Sequence, residues 1–233
     1  MKTTATLIAL ATLFSSCTIN KKIVYKTTDI QLNEEPKLSS IVLNIEEFSD
    51  KRKDYAENTF LFESLKDFSD KEKMFCINAE RHYKKSPVSK QISDLLVQHV
   101  SKTGSFKSVV LNNKDSADYS VRGNLAYFYG KQDYSMAALV GSAFGLIGAI
   151  ATANETTDGK IIFELTDLKI YDKNNQVVAD IGTFRKEFVG EMHADASCWC
   201  IYNNINTKLK VYFTQLISLI ETELEDYTAK KSK

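Results

Sequence analysis

Proline and glycine are scarce in this 233-residue chain, at 2 and 9. Long disordered linkers are therefore not expected. Neither charge is in excess: 30 Lys and Arg balance 30 Asp and Glu, a formal net charge of +0. That removes the electrostatic footprint of a nucleic-acid binder or of a protein made for a strongly anionic partner. No internal repeat is evident. No Ser/His/Asp set and no nucleophile elbow is legible. The glycines of 141–148 lack the Lys-Ser/Thr of a P-loop. His82 and His99 are isolated. His99 falls on or beside an apolar helical face, where a satisfied core histidine is the usual case. Neither an enzyme activity nor a cofactor is expected.

What is present begins at the amino terminus, MKTTATLIALATLFSSCTIN. Lys2 supplies a positive charge, and Ala5 to Phe14 is a mostly apolar run. That is the length of a signal-peptide core and too short to span a bilayer. Ser15 and Ser16 are small, and a cysteine follows them directly. The arrangement resembles the lipobox of bacterial lipoproteins, which implies diacylation of Cys17 and cleavage before it. Phe14 stands where the lipobox usually has leucine, with Leu13 one place back. The competing reading is an ordinary secretory signal with a chance cysteine. Two acyl chains anchor stably where one binds marginally, at about 0.8 kcal/mol per buried CH₂. Thr18 replaces the Asp that keeps many such lipoproteins at the inner membrane, so the resemblance implies the outer membrane. Ile19, Asn20, Lys21 and Lys22 lack an acidic surface-export cluster, which implies the periplasmic face.

The organisation expected is a signal peptide (1–16), a lipidated cysteine with its tether (17–38), one domain (39–228) and a basic tail (229–233). Ile23, Val24, Ile30 and Leu32 would let part of the tether pair as an edge strand. With Cys17 lipidated, Cys76, Cys198 and Cys200 remain. An odd number in an oxidising compartment suggests one disulfide and one spare thiol. A bridge within Cys198-Trp199-Cys200 would be strained, so Cys76 with Cys198 or Cys200 is the expected pairing.

Ser39 to Phe48 alternates as a strand does. Residues 49–85 are charged and irregular, with Phe60, Leu61, Phe62, Leu65 and Phe68 as short-helix contacts. Ser86-Pro87 reads as an N-cap and first helical position. Val88, Ile92, Leu95, Leu96 and His99/Val100 then step at helical spacing, and Gly104 closes the helix. Phe106 to Leu111 is a strand. From Tyr119, alternation runs through Val121, Gly123, Leu125 and Tyr127. Tyr127-Phe128-Tyr129 reads as sheet packing. Ile161 to Tyr171 is a strand whose alternation slips at Thr166-Asp167, as a bulge would produce. Asp172-Lys173-Asn174-Asn175 is a turn, and Val177 to Val189 returns as a hairpin strand. Ile201, Ile205, Leu209, Tyr212, Leu216, Leu219/Ile220 and Leu224 mark an amphipathic helix of about seven turns. The fold class expected is α+β: a mainly antiparallel sheet with two principal helices on one face, plus a glycine-rich apolar helical segment.

That segment is Met136 to Ala153, uncharged, with Gly141, Gly145 and Gly148. Gly141 and Gly145 form a GxxxG, which lets backbones approach closely. At 1.5 Å per residue it would be about 27 Å long, borderline for a bilayer. It reads as a buried helix or crossover, as a membrane contact, or as a surface packing against copies of itself.

Four short motifs carry a family resemblance: Phe48-Ser49-Asp50-Lys51-Arg52; Gly104-Ser105-Phe106; Ala117 through Leu125; and Leu168-Lys169-Ile170-Tyr171-Asp172. Together they resemble the ABC-type transport auxiliary lipoproteins, whose fold is similar to the amino-terminal domain of the Tol-system translocation protein. The resemblance covers roughly 39–226 and implies a non-enzymatic envelope protein docking on a transporter or assembly complex. The alternative is a lipoprotein binding a small ligand or lipid in a groove, or a metal. Met192, His193, Asp195, Cys198 and Cys200 supply metal-ligand types. The stronger reading of those residues is a turn before a helix, with Asp195 as N-cap, so no metal is expected.

Overall fold

The computed structural model describes Thr27, residues 30–33, Pro36, 38–52, 75–77, 88–133, Ala137, 154–193 and 200–231. Cys17, Cys198, Asp195, Ser86-Pro87, the aromatic cluster Phe60 to Phe68, and Gly141, Gly145 and Gly148 lie outside the described residues.

The order is β1 (Leu38–Ile45), β2 (Ser49–Asp50), β3 (Phe75–Ile77), α1 (Val88–Thr103), β4 (Phe106–Leu111), a 3-10 turn (Lys114–Ser116), β5 (Tyr119–Asp133), β6 (Thr156–Asp172), β7 (Val177–His193) and α2 (Cys200–Lys231). The strands form one sheet in the order β4-β1-β5-β6-β7, with β2 and β3 both pairing along β5. The pairings among the long strands β5, β6 and β7 are antiparallel, as the alternating pattern suggested, and so is that of the short β3 with β5. β1 differs. It pairs parallel with β4, because α1 returns the chain to the end where β1 began, and with β5, which starts beside Leu43 and runs on past the end of β1.

Both helices share one core with the sheet. Ile92, Leu96 and Val100 of α1 and Leu209, Phe213, Leu216 and Ile220 of α2 are buried with Leu43, Ile45, Val121, Phe163, Leu165 and Ile170. α2 is wider on its apolar face than the sequence stripe suggested, since Phe213 and Ile217 are buried too. It also runs on through Lys231. Lys230 and Lys231 sit in its last turn, where positive charge complements the helix dipole.

The expected slip in β6 is a register shift between Leu165 and Leu168, with Asp167 at φ 51°. It returns both leucines to the core, where both are fully buried. Gly123 belongs to the same device: a Cβ there would lie 3.1 Å from the Leu168 side chain and 3.2 Å from the Thr166 carbonyl oxygen. A second shift, between Leu125 and Tyr127, turns Phe128 inward and Tyr127 out. The clean alternation read from Tyr119 to Tyr127 therefore does not continue along the strand.

The predicted hairpin turn is present. Asp172 Oδ1 accepts N–H groups from Asn174 and Gln176, both at 2.9 Å. β1 is shorter than its apolar pattern, ending at Ile45, because the Phe48 N–H leaves the sheet and donates to Ser93 Oγ at 3.0 Å. Residues 30–33 of the tether form no strand.

Candidate functional site

Two ends of the sheet and one polar seam hold the groups of interest. At the lower end residues 30–33 join the domain. The Asn33 N–H donates to the Thr103 carbonyl at 2.7 Å, satisfying one of the acceptors that a helix end leaves open. Asn33 Nδ2 also reaches Ser105 Oγ at 3.4 Å. Between them Gly104 turns the chain at φ 71°, a conformation that costs glycine little. Residues of the Gly104-Ser105-Phe106 motif thus form the seat for the tether.

Glu221 of α2 approaches the same seat. Burial pushes its carboxyl above the ordinary glutamate range, the neighbouring Glu225 pushes the same way, and a hydrogen bond with Ser105 opposes them. Its Oε1 is buried with no partner. The native state therefore holds this proton more tightly than the unfolded chain does. The stability that protonation contributes is full below the ordinary glutamate range and is lost as pH rises through the raised value. Glu221→Gln is expected to melt about 2–4 °C above wild type at pH 7, a gain of about 1 kcal/mol. The difference should close near pH 4. Melting curves from pH 4 to 8 check this, and parallel curves for the two proteins would overturn it.

The seam runs between β1 and β5. Asn44, fully buried, donates from Nδ2 to Ser120 Oγ at 3.1 Å and accepts the Asn113 N–H at 2.9 Å. Asp118 accepts the Val42 N–H at 2.9 Å and pairs with Lys173 at 2.9 Å. The hydrogen bond from Lys173, then the one from Val42, hold its carboxyl below the usual range. Arg122 pairs with Glu46 at 2.6 Å and lies 4.2 Å over the Tyr171 ring. Glu46 is thus an ion-pair partner. Asn124 reaches Asp167 at 2.7 Å. Asp118, Ser120, Arg122, Gly123 and Asn124 of the longest motif all hold strands and bulges in place.

His99 is a satisfied core histidine, 1% exposed, with Nε2 3.1 Å from Thr214 Oγ1 and its ring edge-on to Phe213. Met192 is in the core, and His193 is exposed with its carbonyl accepting Asn204 Nδ2 at 2.9 Å. Among the described residues no three His, Cys, Asp or Glu side chains gather as a metal site.

The upper end is where Gln132, Gly159 and Gly190 align across β5, β6 and β7. Cys76 pairs with Gln132 there, and Cys200 opens α2 after β7 has ended at the same end. The side chains of Cys76 and Cys200, and Cys198 as a whole, lie outside the described residues. Gln132 and Gly159 are paired neighbours on either side of the connection that carries Met136 to Ala153. No described helix is long and apolar enough to cross a membrane.

No family model matches the sequence, and no curated protein does. Solved structures overlap it loosely. A DUF330 protein from Xanthomonas campestris is 11% identical, with a TM-score of 0.49 over 86% of this chain and 95% of that one. The PelC dodecamer from Paraburkholderia phytofirmans is 9% identical, with a TM-score of 0.34 over 76% and 88%. A neuraminyllactose-binding hemagglutinin homolog from Helicobacter pylori is 13% identical, with a TM-score of 0.35 over 91% and 97%. None of them is named as an ABC-type auxiliary lipoprotein or a Tol-system protein.

Proposed function

We propose that this protein is a non-enzymatic envelope lipoprotein, anchored through Cys17 and serving a transport or envelope-assembly complex on the periplasmic face of the outer membrane. The observation that carries this reading is the amino terminus: a positive charge, a ten-residue apolar run, two serines and Cys17. The short motifs that resemble the ABC-type auxiliary lipoproteins support it, and their side chains serve the fold.

The tether's length bears on how such a domain would sit. Cys17 precedes Asn33 by 16 residues, a reach of at most about 55 Å. From Tyr119 to Gln132 is about 40 Å along β5, at roughly 3.3 Å per residue. The tether's seat is at the lower end of the sheet and the apolar connection leaves from the upper. Both would meet one membrane only with the tether drawn out along the domain. This favours an arrangement in which the connection with Gly141, Gly145 and Gly148 faces a protein partner, with the acyl chains as the anchor.

Cys17→Ser is expected to move the protein from the membrane fraction to the soluble fraction, because it removes the only site for acyl chains this reading assigns. Intact mass of the membrane form should begin at Cys17 with the lipid attached. An unmodified mature chain, or a C17S variant that remains with the membranes, would refute the anchor.

A further inference from the structure

β7 is the outermost strand of the sheet, and no described residue pairs with its outer edge. An unpaired edge is a template for another strand, and proteins commonly blunt such edges with proline, bulges or short length. β7 has 17 residues and no proline. Its irregularities are set at the flanks. Gly182 turns at φ 72° with its N–H held by Asp180 Oδ1 at 3.1 Å, and Gly190 stands at φ 152°. Between the two glycines run Thr183, Phe184, Arg185, Lys186, Glu187, Phe188 and Val189. From Phe184 to Val189 they pair one for one with Leu165 to Lys160 of β6. Thr183, Arg185, Glu187 and Val189 are exposed, Val189 at 69%.

This stretch is complementary to itself when reversed about Lys186. Phenylalanine meets phenylalanine, arginine meets glutamate, a β-branched residue meets a β-branched residue, and glycine meets glycine. Directly opposed residues of an antiparallel pair share one face of the sheet. We infer that β7 pairs with β7 of a second copy, antiparallel, about a two-fold axis through Lys186. Arg185 of each copy then faces Glu187 of the other, and Phe184 faces Phe188. The interface is isologous, and the two sheets become one with both α2 helices on the same side. Arg185 already bonds Glu164 and lies 3.1 Å from Glu187 of its own strand. The pairing would close these into a cluster of alternating charge. Lys186 meets Lys186 on the helix side, where its Nζ stands 5.2 Å from the Phe184 ring centroid.

The test uses the full chain and sedimentation velocity over a range of concentrations. Wild type should dimerise. R185E and E187R should each associate at least tenfold more weakly, because each places like charges opposite one another twice. An equimolar mixture of the two variants should associate again, since the acidic strand of one complements the basic strand of the other. Both variants lose ion pairs within their own chain, so recovery on mixing cannot come from folding. A monomeric wild type, single variants that assemble as wild type does, or a mixture that stays monomeric would each overturn the pairing. The second outcome would place assembly on another surface.

Discussion

Phe163→Ala is expected to lower the unfolding free energy by about 3–5 kcal/mol, the usual cost of emptying a large aromatic site in a core. Phe163 is fully buried on β6. Its ring is edge-on to Phe184 at 6.3 Å and to Phe213 at 5.8 Å, and stacked with Tyr212 at 6.4 Å. It is therefore the point at which β6, β7 and α2 meet. Removing it forfeits apolar burial and three ring contacts, each worth about 0.5–1.5 kcal/mol beyond area. A domain with about 5–15 kcal/mol of stability would be left marginal. Denaturant unfolding at 25 °C measures the loss. A cost below about 1.5 kcal/mol would mean that α2 settles into the gap and that the aromatic cluster does not wedge helix to sheet.

Asn44→Ala is expected to cost about 2–4 kcal/mol, although asparagine is a polar residue in a strand. Its side chain occupies both an acceptor and a donor at the seam. Alanine would leave the buried Ser120 hydroxyl without it, at about 1–3 kcal/mol for an orphaned buried group, and would release the part-buried Asn113 N–H. The test is a cycle with Ser120→Ala. A coupling of about 1 kcal/mol is expected if the two side chains act as a pair. Additive losses would show that Asn44 acts through Asn113 alone.

Most elements were legible because their signals are local. β4 coincides with Phe106 to Leu111, and Gly104 and Asp172 turn the chain as their chemistry requires. The β6 bulge was visible as broken alternation. The short strands β2 and β3 were not legible, since two or three residues carry no period. They exist because β5 outruns β1 and leaves an edge for them. The buried seam was hidden for another reason: Asn44 meets Ser120 and Asn113 at separations of 76 and 69 residues. The half-buried position of Glu221 was hidden too. On α2 it falls beside the apolar stripe and is half-buried, and only the approach of Ser105 from the α1–β4 turn sets its carboxyl out of water.

The sequence by itself determined the kinds of element and the turn between β6 and β7. These depend on residue type and short spacing, which act before any tertiary contact forms. Tertiary structure alone decided that β1 runs parallel to both neighbours, that the motif residues Asp118, Ser120, Arg122 and Asn124 brace strands, and that tether and apolar connection leave from opposite ends of the sheet. It also left β7 on the outside. Strand order is set by long-range pairing and loop closure, whose energies no local pattern records.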